Sequence, residues 1–102
     1  MYLVQLLLPT HHNDGTAVPA AEFAAVRLEL TDRFGGVTAY TRAPASGLWK
    51  NTDDSLEHDQ VIMVEVVVEV FDRDWWAEYR AALELRFGQQ ELHARALAME
   101  QI

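Results

Sequence analysis

The chain contains 102 residues, of which 50% are apolar and 24% are charged. This length and composition predict one folded domain over residues 1–102 and exclude a disordered tail or a membrane protein. The 16 acidic and 8 basic side chains give a net charge of −8, which disfavours binding to nucleic acid or to a membrane surface. Because cysteine is absent, disulfides, thiol nucleophiles and iron–sulfur clusters are excluded, and we expect a cytoplasmic protein.

The first half of the chain predicts a strand, a helix and a second strand. An apolar segment over residues 2–8 predicts a buried first strand, since it is too short for a membrane span and lacks the flanks of a signal peptide. A polar loop follows over residues 10–16. Apolar side chains at helical spacing predict a helix over residues 19–34, which begins at Pro19 and ends at Gly35. Alternation over residues 37–43 predicts the second strand.

The second half repeats this pattern after a connection predicted over residues 44–60. Alternating β-branched residues predict a long third strand over residues 61–71. Asp72 or Asp74 is expected to cap a second helix that ends at Gly88. Residues 92–99 predict a final strand.

An internal repeat indicates how these elements are arranged. A shift of 53 residues places Arg33-Phe34-Gly35 on Arg86-Phe87-Gly88 and Arg42 on Arg95. Two β-α-β halves of this kind predict an α+β, ferredoxin-like βαββαβ fold. Right-handed crossovers then give an antiparallel four-stranded sheet of order 4-1-3-2, with both helices on one face.

The face of the sheet without helices carries a mixture of side chains. Alternation places Val70 and the even-numbered residues before it under the helices, together with Leu92 and three alanines of the last strand. The opposite face then combines apolar side chains (Leu3, Leu7, Met63, Val67, Leu97, Met99) with polar ones (Gln5, Glu65, Glu69, Arg42, His93, Arg95). An apolar patch of this kind marks an interaction site. We therefore expect a homodimer in which the two open faces oppose each other.

The pattern resembles the dimeric α/β-barrel superfamily of ferredoxin-like proteins. Arg33 to Thr38 and Gly47 to Trp49 are similar to segments of small uncharacterised bacterial members. The resemblance covers the whole chain as architecture, and no catalytic motif matches. The superfamily includes cofactor-free monooxygenases, lactone isomerases, haem enzymes and ligand-sensing modules, so the resemblance implies a fold and not a function.

Six polar residues of the expected dimer interior form the candidate site. They are Gln5, Tyr40, Arg42, Glu65, His93 and Arg95. His93 has the side chain best suited to proton transfer. Glu65 could orient it or hold a cation, Tyr40 could donate to an oxyanion, and both arginines could anchor a carboxylate. The alternative is a partly buried ion pair between Glu65 and an arginine that fixes the dimer register.

Seven residues, one of which is His93 of the interior set, are expected at one end of the sheet. These are His11, His12, Asp14, Trp49, His58, Asp59 and His93. Their spacing matches no metal motif, so solvated loop histidines are the favoured interpretation and no metal or cofactor is predicted. Trp49 lies in a predicted polar loop, where it could cover the pocket or contact a partner.

The function predicted from the sequence is small-molecule binding in a pocket on the open sheet face of a homodimer. The alternative is a cofactor-free enzyme, similar to a monooxygenase or an isomerase, in which His93 is the acid–base group. In the enzyme, Glu65 and Tyr40 would assist His93 in catalysis. In either case Arg42, Arg95, Gln5 and Trp49 would bind the small molecule.

Overall fold

A computed structural model describes the backbone of residues 1–50 and 56–102, and the side chains of residues 1–41 and 60–102. The element order is β1 (Tyr2–Pro9), α1 (Ala20–Phe34), β2 (Thr38–Lys50), β3 (Leu56–Val68), α2 (Arg73–Arg86) and β4 (Ala94–Ala98). The four strands form one antiparallel sheet of order β2-β3-β1-β4. The predicted α+β, ferredoxin-like fold and strand order are confirmed. No helix in the described part of the chain is long and apolar enough to cross a membrane.

The core lies between the helices and one face of the sheet. Alternate residues of β1 and β3, among them Val4, Leu6, Val64 and Val66, are almost completely buried. They pack with apolar side chains from the helices and the segments that follow them: Phe23, Val26, Leu30, Trp76, Leu83, Phe87 and Leu92. The period-2 pattern of the strands and the helical spacing of α1 and α2 therefore meet in one apolar layer.

The start of α2 and the end of α1 follow from local chemistry. Asp72 is the cap of α2, because its carboxylate accepts a hydrogen bond of 3.1 Å from the backbone N–H of Trp75. Gly35 ends α1 with a φ of 85°, and its N–H donates to the Thr31 carbonyl at 2.8 Å.

The hairpin between β2 and β3 is longer than the sequence predicts. Residues 44–60, interpreted as a connection, belong largely to the two strands, which pair from Ala45↔Val61 to Lys50↔Leu56. The register shifts between Tyr40 and Ala45, where β2 advances five positions against two on β3. Pro44 lies in this irregular segment. Because proline has no backbone N–H to donate, it is tolerated in a strand at a bulge. Residues of this segment that favour turns therefore lie in paired strands.

The third strand ends earlier than predicted. β3 stops at Val68, which pairs with Tyr2, and the chain then bends towards α2. Val70 was expected under the helices and is instead 81% exposed. The prediction is wrong at this residue because alternation continues in the sequence after the partner strand has ended.

Candidate functional site

The open face is the side of the sheet without helices. Its apolar side chains are Leu3, Leu7, Met63, Val67 and Leu97. Val67 and Leu97 are 48% and 46% exposed, whereas Val66 and Val68, the neighbours of Val67 on the helix side, are buried. Leu3 pairs with both Val67 and Leu97, so these three apolar residues form one row across β3, β1 and β4.

The next row of the open face is polar. Gln5 on β1 pairs with Glu65 on β3 and with Arg95 on β4. Gln5 Nε2 donates to Glu65 Oε1 at 2.8 Å, and Arg95 Nε donates to Gln5 Oε1 at 2.7 Å. From β2, the Tyr40 hydroxyl donates to Glu65 Oε2 at 3.1 Å. Tyr40, Glu65, Gln5 and Arg95 therefore form one hydrogen-bonded chain across all four strands, which we call the polar chain.

Chemistry fixes the direction of every bond in the polar chain. The Arg95 guanidinium can only donate, and an ionised Glu65 can only accept. The Gln5 amide must therefore present its oxygen to Arg95 and its nitrogen to Glu65. The chain links an anion on β3 to a cation on β4 through a neutral amide, and not by direct contact of the two charges.

The polar chain also sets the state of Tyr40. The hydrogen bond to Glu65 and the charge of that carboxylate raise the pKa of Tyr40 above its ordinary value. Tyr40 is 49% exposed, so its phenol remains accessible from the open face while it donates to Glu65. It is a proton-bearing group at neutral pH, as the role of hydrogen-bond donor requires.

The structure brings four of the six predicted interior residues together, and His93 lies two positions before Arg95 along the chain. The backbone N–H of Leu7 donates to the His93 carbonyl at 2.9 Å, so His93 continues the pairing of β4 at a position of the same parity as Arg95. Glu65 and His93 are on opposite sides of β1, which separates their strands by about 10 Å. The carboxylate of Glu65 accepts from Tyr40 and Gln5. The side chain of Arg42 lies outside the described residues.

The residues expected at the histidine-rich end have separate surroundings. His12 Nδ1 is 3.0 Å from the Phe87 carbonyl oxygen, which can only accept, so the ring donates and ties the loop after β1 to the end of α2. Asp14 accepts from the hydroxyl and N–H of Thr16, which lowers the pKa of this carboxyl. The described residues contain no group of three or more side chains that could hold a metal ion.

Trp49, His58 and Asp59 have side chains outside the described residues. Their backbones belong to β2 and β3, where Trp49 pairs with Glu57 and Leu48 with His58. The sequence placed Trp49 in a polar loop, and the structure corrects this position to a paired strand, because the hairpin continues past the register shift.

A further polar cluster joins the two helices and was not predicted. Arg86 on α2 donates to Glu29 on α1 at 2.7 Å, and the Tyr79 hydroxyl donates to the same carboxylate at 2.8 Å. Partial burial opposes ionisation of Glu29, but these two donors outweigh it and lower the pKa of Glu29. Burial, followed by the hydrogen bond to Glu29, raises the pKa of Tyr79. In the sequence this cluster is indicated only by spacing: Glu22 and Glu29 are seven residues apart, as are Tyr79 and Arg86.

Comparison with known proteins gives a likeness in structure without one in sequence. No known family model matches the chain, and no curated protein matches it. A phage SAM lyase in complex with S-methyl-5′-thioadenosine superposes with a TM-score of 0.64 at 10% identity, over 94% of this chain and 79% of that one. A phage SAM lyase in the apo state gives a TM-score of 0.62 at 10% identity, over 94% and 78%.

The likeness shows the fold alone. Identity of 10% carries no residue from one chain to the other. The structural matches support a small α/β fold, and no family or sequence match supports the narrower label of a dimeric α/β barrel. Function must therefore be argued from the open face itself.

Proposed function

We propose that the chain forms a homodimer through its open face and binds a small molecule between the two sheets. The observation that carries this proposal is the polar chain, which lies next to a half-exposed apolar row. A sheet face that contacts only solvent does not require an apolar row. A dimer interface that holds no ligand does not require the polar chain. In this proposal each chain is a single domain of the dimeric α/β-barrel type, and the dimer is cytoplasmic.

The apolar row supplies the driving force for association. Val67 and Leu97 keep about half of their surface exposed. Complete burial of a Val or Leu side chain contributes about 1.5–3 kcal/mol. Burial of both residues in both copies of a twofold dimer therefore contributes about 3–6 kcal/mol, before the entropic cost of association is subtracted.

The polar chain determines the ligand chemistry. The Glu65 carboxylate accepts two hydrogen bonds in the free protein and has about four acceptor positions. A ligand diol or amine can use the remaining positions. Arg95 uses Nε towards Gln5, and its terminal guanidinium nitrogens are suited to a carboxylate or carbonyl oxygen. The proposed ligand carries donors at one end, an acceptor at the other, and an apolar body between them.

S-methyl-5′-thioadenosine is a reasonable first probe. It is the compound bound to the structurally similar SAM lyase, and its ribose diol supplies the donors that Glu65 can accept. Arg42 and Trp49, predicted to bind the substrate together with Gln5 and Arg95, complete the proposed set of ligand contacts.

The experiment measures mass and binding separately. Light scattering at micromolar concentration should give twice the chain mass. Titration with S-methyl-5′-thioadenosine, followed by backbone NMR, should shift the signals of Gln5 and Glu65. Glu65→Gln should weaken binding about tenfold. The control Glu78→Gln, on the surface of α2, should leave the affinity unchanged. A monomer in light scattering would refute the dimer. Equal binding by both variants would refute the site.

The second candidate function is cofactor-free acid–base catalysis by His93. The observation that favours it is the pairing of His93 with Leu7, which places the imidazole position next to that of Arg95 along β4. In D₂O, the protein should accelerate exchange of the α-protons of levulinate, whose carboxylate suits Arg95. His93→Gln should abolish this acceleration, and His11→Gln should retain it. Exchange at the uncatalysed rate with the wild-type protein would refute the catalytic proposal.

A further inference from the structure

A second concave site lies on the helix side of the sheet, between α2 and β4. It is a pocket of about 260 Å³. Its apolar surface comes mainly from Val4, Trp76, Ala94 and Ala96, and Arg73 and Arg80 of α2 also line it. The open face is on the other side of the sheet, and Arg95 of the polar chain also lines this pocket at the edge strand β4.

The pocket exists because small residues occupy β4. Ala94 and Ala96 face the helices at the same level as Leu6 and Val4, which are their pairing partners on β1. Each alanine places a single carbon where β1 has a branched side chain. Since β4 is also an edge strand, no further strand of the described residues closes that side, and space remains beneath α2.

The arginines give the pocket a charge opposite to that of the chain. Arg73 and Arg80 are seven residues apart, which places them two turns apart on the same side of α2. Within the described part of the chain, the ion pairs join Arg86 to Glu22 and Glu29. Arg73 and Arg80 have no carboxylate partner there, although the chain carries a net charge of −8. The Arg73 guanidinium carbon lies 5.4 Å from the ring centroid of Phe71, which also lines the pocket.

We propose that this pocket binds a small organic carboxylate with an aromatic or branched aliphatic body. The carboxylate lies between Arg73 and Arg80, and the apolar body packs on Trp76, Ala94 and Ala96. An apolar protein cavity of about 150 Å³ is large enough to hold one benzene molecule. The pocket of 260 Å³ therefore accommodates a ring with a short acid chain.

The test uses 3-phenylpropionate and its neutral analogue 3-phenylpropanol, titrated into the full chain and followed by backbone NMR shifts. The acid should bind with a Kd on the order of a millimolar, as its eleven or so heavy atoms allow, and should shift Ala77, Ala94 and Ala96. The alcohol should bind about tenfold more weakly, because it forms no charge-assisted hydrogen bond.

Three variants make the assignment specific. Arg73→Gln and Arg80→Gln should each weaken binding of the acid about fivefold, while Arg27→Gln on α1 serves as the matched control and should leave it unchanged. Ala96→Leu fills the pocket and should abolish binding. Circular dichroism checks that this variant remains folded, and the two arginine variants keep the proposal testable if it does not.

Several results would overturn the proposal. These are equal affinity for the acid and the alcohol, equal losses in Arg27→Gln and Arg80→Gln, absence of binding, and shifts confined to Gln5 and Glu65. Arg73→Gln and Arg80→Gln distinguish this pocket from the open face, because neither arginine belongs to the polar chain.

Discussion

Leu97→Ala is the most direct perturbation of the proposed dimer. Leu97 is 46% exposed on the open face and pairs with Leu3. If full burial of Leu contributes about 1.5–3 kcal/mol, burial of its exposed part contributes about 0.7–1.4 kcal/mol for each copy. Twofold symmetry counts this contribution twice, so the variant should lose about 1.4–2.8 kcal/mol of association free energy. This loss corresponds to an increase of about 10-fold to 100-fold in the dimer dissociation constant.

Sedimentation equilibrium over a dilution series measures this constant. Leu85→Ala is the matched control, since Leu85 is 86% exposed but lies on α2, away from the open face. The control should leave the dissociation constant unchanged. A dissociation constant of Leu97→Ala within about threefold of the wild-type value would contradict the calculation. Weakening by Leu85→Ala alone would show that the dimer forms through the helices.

Three further predictions concern stability and ionisation. Gly88→Ala should destabilise the fold by about 2–3 kcal/mol in urea unfolding, because Gly88 has a φ of 61° and a Cβ there would lie 2.8 Å from His12 Nδ1. The lowered pKa of Glu29 contributes stability above its ordinary pKa of 4.5 that is lost as the pH falls through the folded-state value, so Glu29→Gln should flatten the acid limb of the stability curve. Glu65→Gln should return the raised pKa of Tyr40 towards its ordinary value of 10.0, measured by ultraviolet titration of tyrosinate.

Each of these predictions has a control in the same chain. Gly15→Ala has a comparable φ of 88° with nothing within 4 Å of the added Cβ, so it should cost only the strain of about 1–2 kcal/mol. An equal loss of unfolding free energy in Gly88→Ala and Gly15→Ala would show that the contact with His12 contributes nothing. Glu78→Gln should change neither the acid limb nor the tyrosine titration. An unchanged Tyr40 titration in Glu65→Gln would show that the hydrogen bond does not persist in solution.

Local patterns were sufficient for most of the fold. The alternation of Val64 and Val66 and the helical spacing of Val26 and Leu30 depend only on neighbouring residues, and each pattern identifies one buried face. The repeat around Gly35 and Gly88 then indicated two β-α-β halves, from which the strand order followed. Predictions failed where a partner strand decided the outcome, at the ends of β2 and β3.

The candidate site was predicted as a set of residues, but its contacts were not. Parity along the strands placed Gln5, Glu65 and Arg95 on one face, and the sequence favoured an ion pair or a contact with His93. Pairing across β1 instead places the Gln5 amide between the two charges. Which donor meets which acceptor depends on register across four strands, and no local pattern contains that information.

The sequence by itself determined the class of this protein: an acidic, cysteine-free chain with two β-α-β halves and an unusually apolar second sheet face. Only the tertiary structure decided how far the hairpin extends, how Tyr40 reaches Glu65, and where a pocket remains beneath α2. The physical reason is distance along the chain. Periodicity and capping act within a few residues, whereas the polar chain and the Arg73–Arg80 pocket join residues that pairing and packing bring together from separate strands and helices.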